Sequence, residues 1–221
     1  SRLGRLKDNK ETIFTDLDLI GYSSQKKEIA KFFELELKFK FHPQMKVLLG
    51  GGRFIYFHPE DYYHVDIFFD KLDYSHTIYF GNSPNKGRLE LDFPTISLAD
   101  LVLEKLQIHD ITRKDLIDLI VLFASHEVSE SEAPEKIDGG YIAKILSDDW
   151  GFWYDATQNL IVLERFILSI NDAELVPILR KVQVNIDKLK KLINEHPKTR
   201  NWEKRAKIGT RKPWYKKVDN I

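Results

Sequence analysis

The sequence contains no cysteine among its 221 residues. Disulfide frameworks, zinc sites built on thiolates and enzymes with a cysteine nucleophile are therefore excluded. No apolar run approaches the roughly 20 residues that a membrane-spanning helix requires, and no signal-peptide pattern opens the chain. These absences predict a cytoplasmic protein with no membrane partner.

The sequence also lacks a net charge, because 34 Lys and Arg residues balance 34 Asp and Glu residues. A uniformly basic nucleic-acid coat and an acidic disordered chain are excluded as descriptions of the whole protein. The charges are nevertheless unevenly distributed. Residues 198–221 contain nine basic and two acidic residues, a net charge of +7, so residues 1–197 carry −7.

Hydrophobic residues make up 43% of the chain, enough to bury a core, and their spacing divides the sequence into regions. Apolar runs typical of strands lie at 12–19, 46–49, 53–57, 64–69, 77–80 and 88–92. Helical spacing lies at 25–35, 97–108, 141–146, 150–170 and 173–195, and a further helix starts at Thr112. The acidic segment 127–138 predicts a linker. The sequence thus predicts an α/β domain at 1–127, a helical domain at 128–197 and a basic aromatic tail at 198–221.

Three acidic residues stand out in the predicted strands. Asp16 and Asp18 are separated by one residue, so both project from one face of their strand, where a divalent cation would relieve their repulsion. Asp66 lies between apolar residues of a second strand. If the two strands are neighbours, the three carboxylates converge and can hold two Mg²⁺ ions about 3.5–4 Å apart. The alternative, a solvated face of an edge strand, stays open.

Four motifs follow one another along the chain. They are TDLDL at 15–19, HVDIFFD at 64–70, PTISLADLVLEKLQI at 94–108 and KDLIDL at 114–119. Their order resembles the DNA polymerase beta-type nucleotidyltransferase superfamily. More narrowly, the sequence is similar to the small prokaryotic branch that is related to abortive-infection toxin nucleotidyltransferases. The resemblance covers about residues 12–127.

The resemblance implies a mixed sheet flanked by helices and transfer of a nucleoside monophosphate from an NTP, such as ATP, to a hydroxyl. Asp16 and Asp18 match the paired ligands of Mg²⁺ or Mn²⁺. Asp66 matches the third ligand, which also draws the proton from the acceptor hydroxyl. The acceptor can be RNA, a protein side chain or a small molecule.

One feature of the family is missing from these 221 residues. The family places a Gly-Gly or Gly-Ser pair about a dozen residues before the paired acids, at a triphosphate-binding helix start. No such pair precedes Asp16, and the glycine run at 50–52 is typical of a hairpin turn with positive φ. Two interpretations stay open: a chain cut at or beyond the motif, or an inactive member that acts as a binding or regulatory module.

Four further residues are weaker candidates. Lys105 lies within the apolar face of its predicted helix, which indicates either a side chain that reaches out to water or a cation directed at phosphates or carboxylates. Asp115 is explained as the capping acid of the helix that starts at Thr112, and Asp118 as a partner of nearby cations. His64 shares the strand face of Asp66 and could orient it.

The tail combines its positive charge with Trp202, Trp214 and Tyr215. Cations interleaved with aromatic residues suit RNA, which would be held by phosphate contacts and base stacking. Alternatively, the tail docks on the acidic body of the same chain, with Trp202 and Trp214 as anchors. Both alternatives remain open at the level of sequence.

Overall fold

The computed structural model of the chain describes residues 16–41 and 51–217, which form two compact units. The sheet unit contains the described residues up to 72 and residues 78–97, and the helical unit contains residues 73–77 and 98–217. The predicted α/β class, with a mixed sheet and a helical unit towards the C-terminus, is confirmed. The strand predicted at 46–49 lies outside the described residues.

The sheet unit is built on a four-stranded mixed sheet. Its strands are β1 (Asp16–Gly21), β2 (Lys40–Phe41), β3 (Arg53–Phe57) and β4 (His64–Phe69), in the order β1-β4-β3-β2. β1 and β4 are parallel, and the other pairs are antiparallel. A parallel pair needs a long crossover, and α1 (Lys26–Lys31) with the π-helical turn Phe32–Glu36 lies within that connection.

One face of the sheet carries the apolar core of this unit. The core consists of Phe33 from the π-helical turn and alternating strand residues: Phe54, Tyr56, Val65, Ile67 and Phe69. Phe33 stacks on Tyr56 with ring centroids 4.9 Å apart. Because successive strand residues point to opposite faces, the residues between these positions lie on the other face. Asp66 is one of them, and the register of β1 with β4 places Asp16 and Asp18 on the same face.

The segment that follows the sheet differs in part from the prediction. β5 (Lys71–Asp73) and β6 (Thr77–Tyr79) form a two-stranded sheet, but the predicted strand at 88–92 is wrong, because this segment turns. The Tyr22 hydroxyl accepts a hydrogen bond from the Leu89 N–H (2.9 Å), and the Leu91 N–H donates to the Arg88 carbonyl (3.2 Å). Of these two backbone groups, which a ladder would use, one is thus bound by a distant side chain and the other by a local turn. Gly51 has φ +70°, the positive value predicted for the glycine run.

The helical unit contains the helices predicted from residue 97 onwards, and it also contains two short strands. Its elements are α2 (Leu98–Leu106), α3 (Arg113–Ser125), β7 (Glu127–Ser129), β8 (Lys136–Asp138), α4 (Gly139–Leu146), α5 (Trp150–Ser169), α6 (Val176–Glu195) and α7 (Arg200–Ala206). Fully buried side chains of several helices form its core, among them Leu103, Leu119, Phe152, Leu163 and Ile186. In the part of the chain that the structure describes, no helix is both long and apolar enough to cross a membrane.

The acidic segment 127–138 is not a linker. β7 and β8 pair in parallel, and both Val128 (2% exposed) and Ile137 (0%) are buried. The side-chain oxygen of Asn185, on α6, accepts a hydrogen bond from the Val128 N–H at 2.9 Å. Two apolar residues and one buried amide therefore hold a segment whose composition predicts exposure. The predicted boundary between residues 127 and 128 falls inside the helical unit.

Residues 198–217 of the tail are docked within the helical unit. Thr199 caps α7 by accepting a hydrogen bond from the Trp202 N–H, and the Trp202 ring packs edge-on against Trp153. The Trp214 indole N–H donates to the buried carboxylate of Asp155 at 2.9 Å. Both tryptophans thus anchor the tail, as one of the two alternatives predicted.

Candidate functional site

The strand acids lie side by side across β1 and β4. In the parallel register Asp18 is directly opposite Asp66, and Asp16 is directly opposite His64. Opposite residues of neighbouring strands project from the same face. The sequence predicted convergence only on the condition that the two strands are neighbours, and the structure meets that condition.

Asp66 is the buried member of this acidic face, with a relative exposure of 4%. One of its oxygens, Oδ2, accepts a hydrogen bond from Nη2 of Arg53 at 2.5 Å. Its other oxygen, Oδ1, is buried and has no hydrogen-bond partner, and the same holds for Nε of Arg53. A buried carboxylate oxygen without a partner is costly, because it loses its hydration without replacement.

Asp18 experiences the negative charge of its neighbours. Partial burial raises the pKa of Asp18 above its ordinary value, and the charges of Asp66 and Asp16 raise it further. The positive charges of Arg53 and His64 offset this only in part. The face therefore carries more negative charge than its own cations neutralise.

Two ring-bearing residues of β4 flank Asp66. The Nε2 atom of His64 lies 3.8 Å from Asp66 Oδ2, so the predicted neighbourhood of His64 and Asp66 is observed. The guanidinium carbon of Arg53 lies 4.9 Å from the centroid of the Phe68 ring. Arg53 thus rests between a carboxylate and an aromatic face.

Lys105, Asp115 and Asp118 lie together, but in the helical unit. The Lys105 ammonium is 3.4 Å from Glu104, 3.6 Å from Asp118 and 3.9 Å from Asp115. Burial lowers the pKa of Lys105, but the three carboxylates outweigh this effect, so its pKa is raised. Asp115 also completes the capping box with Thr112, as the sequence predicts. Carboxylates of its own unit therefore engage this lysine.

The side chains of this face determine how well it suits a divalent cation. In residues 16–41 and 51–217, no three His, Asp or Glu side chains are arranged to hold a metal ion together. Two features nevertheless suit a cation: the unpartnered Oδ1 of Asp66 and the raised pKa of Asp18. Carboxylate oxygens are the ligands that Mg²⁺ prefers. Asp16, Asp18 and Asp66 would hold it.

Sequence reasoning missed Arg53. Its strand was predicted at 53–57, but nothing in that segment indicates which strand lies beside it. The antiparallel register places Ile55 opposite Asp66, so Arg53, two residues away, shares the acidic face. A cation at an alternating position in a strand of apolar residues is the signal that could have identified it.

A second buried carboxylate, Asp155 on α5, was also missed. It accepts hydrogen bonds from His76 Nε2 (2.8 Å), His109 Nδ1 (3.1 Å) and the Trp214 indole. Burial raises the pKa of Asp155, but the three hydrogen bonds together lower it by more, so its pKa lies below the ordinary value. The Tyr215 ring stacks on His109, with centroids 3.5 Å apart. Every partner comes from another segment, so local sequence carries no sign of the cluster.

In comparisons with family models, curated proteins and solved structures, nothing matches this chain. The nucleotidyltransferase resemblance therefore stays a prediction that rests on the residues themselves.

Proposed function

We propose that the protein transfers a nucleoside monophosphate from an NTP, with Mg²⁺ or Mn²⁺, to a hydroxyl acceptor. The observation that supports this most directly is the parallel register of β1 and β4. It places Asp18 opposite Asp66, and Asp16, two residues earlier on β1, opposite His64. The three carboxylates lie on one face, and carboxylate oxygens are the ligands that Mg²⁺ prefers. The resemblance assigns the same three residues.

In the proposed reaction the acceptor oxygen attacks the α-phosphorus of the NTP. A new oxygen–phosphorus bond forms, the bond between the α-phosphorus and the bridging oxygen breaks, and pyrophosphate leaves. Asp66 accepts the proton of the acceptor hydroxyl, and Asp16 and Asp18 hold the cation. A cation held there would neutralise charge on the phosphates and lower the pKa of the attacking hydroxyl. His64 orients Asp66.

RNA is the acceptor that the tail favours. Trp202 and Arg205 face inward on α7, with Arg205 lying 5.0 Å from the Trp150 ring. Arg200, Lys204 and Lys207 recur at helical spacing and are exposed. An RNA backbone would thus be held by phosphate contacts to these cations, since the tryptophans are engaged in docking.

Titration of Mg–ATP into the full chain by calorimetry, together with a transfer assay using ATP labelled at the α-phosphate, tests the proposal. We expect Asp66→Asn to lower transfer about 10²–10⁴-fold, because the proton acceptor is lost. We expect Asp18→Asn to abolish the binding heat. Asp61→Asn is the matched control, since Asp61 is an exposed aspartate of the same unit with positive φ, which Asn tolerates. Equal binding by wild type and Asp18→Asn would refute the site.

A second candidate function is a binding or regulatory module that keeps the fold without catalysis. The contact between Arg53 and Asp66 favours it, because an internal cation stands against the acid that the reaction requires. On this alternative Mg–ATP binds neither wild type nor variants, while the tail still binds RNA.

A further inference from the structure

Arg53 and Asp66 form an incomplete ion pair. The side chain of Asp66 is 6% exposed and that of Arg53 is 28% exposed. Arginine–carboxylate pairs frequently form two parallel hydrogen bonds, one to each carboxylate oxygen. Here one nitrogen contacts one oxygen, and Asp66 Oδ1 and Arg53 Nε are both buried without partners. The pair leaves hydrogen-bonding capacity unused on both sides.

The charges of the face are also unbalanced. Asp16, Asp18 and Asp66 contribute three negative charges and Arg53 one positive charge, so these four side chains carry −2 when His64 is neutral. That residual charge equals the charge of one divalent cation. Arg53 is the more exposed partner, and the Phe68 ring already contacts its guanidinium. The guanidinium can therefore leave Asp66 without becoming a buried, unpaired charge.

We propose that Arg53 is the resident counter-ion of Asp66, which holds the carboxylate while no divalent cation is bound and releases Asp66 Oδ2 when one binds. This inference deepens the proposed function and rests on it. Arg53 is thus a positioning residue. It holds the buried carboxylate in place, and it lowers the affinity of the site for free metal.

Binding of Mn²⁺ alone, without nucleotide, tests the exchange on the full chain. Arg53→Gln removes the competing charge, so we expect Mn²⁺ to bind about tenfold more tightly or better than to wild type, measured by calorimetry or by the loss of the free Mn²⁺ paramagnetic resonance signal. Arg53→Lys keeps the charge and should stay close to wild type. The matched control is Lys31→Gln, which removes an exposed cation from α1, the helix that packs on the opposite face.

Thermal unfolding provides a second measurement for the case that Arg53→Gln folds poorly. Without metal, we expect this variant to unfold at a lower temperature than wild type. Saturating Mn²⁺ should raise the unfolding temperature of the variant by more than it raises that of wild type.

The outcomes separate this inference from the proposed function. Saturable Mn²⁺ binding that is lost in Asp66→Asn, yet unchanged or weaker in Arg53→Gln, would overturn the counter-ion role and leave the metal site standing. Equal tightening in Arg53→Gln and Lys31→Gln would also overturn it, because net charge alone would then explain the change. Absence of binding in folded wild type and folded Arg53→Gln would overturn both proposals.

Discussion

Two buried aspartates differ in how completely their oxygens are satisfied. Asp155 is 3% exposed, and both of its oxygens accept hydrogen bonds, from His76, His109 and Trp214. Asp66 is buried to a similar degree, but one of its oxygens has no partner. Full satisfaction is expected where a carboxylate stabilises a fold, and an unsatisfied oxygen where a ligand completes the site. Asp155 is therefore structural, and Asp66 is the functional candidate.

The hydrogen bonds of Asp155 make a prediction about acid stability. The folded pKa of Asp155 is lowered, so at acidic pH the unfolded chain binds more protons than the folded chain, and stability rises with pH through that window. The stabilisation is complete above the unfolded pKa near 3.9 and is lost as the pH falls through the folded pKa.

Asp155→Asn should therefore lose about 2–3 kcal/mol of the free energy of unfolding at neutral pH. The difference from wild type should shrink below about pH 4, where wild type loses the same charge. Denaturant unfolding of both proteins across the acidic range measures it. A difference that does not change with pH would show that the charge of Asp155 is not responsible.

At the scale of elements, β7 and α3 depend on one side chain of α6. Asn185 is 4% exposed, and its amide nitrogen donates to the Phe123 and His126 carbonyls at the end of α3. Its amide oxygen accepts from the N–H of Val128 in β7. One amide thus satisfies backbone groups that the end of a helix and an outer strand leave open.

Asn185→Ala should lower the free energy of unfolding by about 2–3 kcal/mol, because buried backbone groups lose their partner. Asn194→Ala, at an exposed position of the same helix, should change it by less than about 0.5 kcal/mol. Denaturant unfolding compares the two variants. Equal effects would mean that helix propensity, and not the buried hydrogen bonds, accounts for the loss.

At the scale of the whole molecule, the zero net charge is the sum of an acidic body, residues 1–197 with −7, and a basic tail, residues 198–221 with +7. Three of the negative charges, those of Asp16, Asp18 and Asp66, share the sheet face where a cation is proposed to bind. Positive charge is concentrated in the docked tail, whose aromatic side chains face inward while Arg200, Lys204 and Lys207 stay exposed. Docking therefore uses the tryptophans of the tail but not its outer cations.

Replacing Arg200, Lys204 and Lys207 with Gln together should weaken RNA binding without unfolding the protein. Each phosphate contact on a single strand contributes about 0.7 to the slope of log K against log salt, so the slope should fall by about 2. Binding titrations at several salt concentrations measure it. The same triple replacement at Lys181, Lys188 and Lys191, exposed on α6, removes equal charge and should leave the slope unchanged. An equal fall in both triple variants would refute a specific role for the tail.

Local sequence determined much of the fold and part of the site. Alternation predicted β1, β3 and β4, helical spacing predicted the long helices, and Thr112 with Asp115 predicted the start of α3. The spacing of Asp16 and Asp18 also placed them on one face. Each of these features is decided by residues within a few positions of each other, through backbone geometry and periodicity.

The tertiary structure alone decided which of these elements meet. It placed Asp18 opposite Asp66, brought Arg53 onto Asp66, and joined Trp214 to Asp155 across 59 residues. It also ordered segment 127–138, which composition predicts to be a linker, through Asn185. Such contacts depend on strand pairing and on the packing of distant apolar faces. The local pattern of a single segment predicts neither of these.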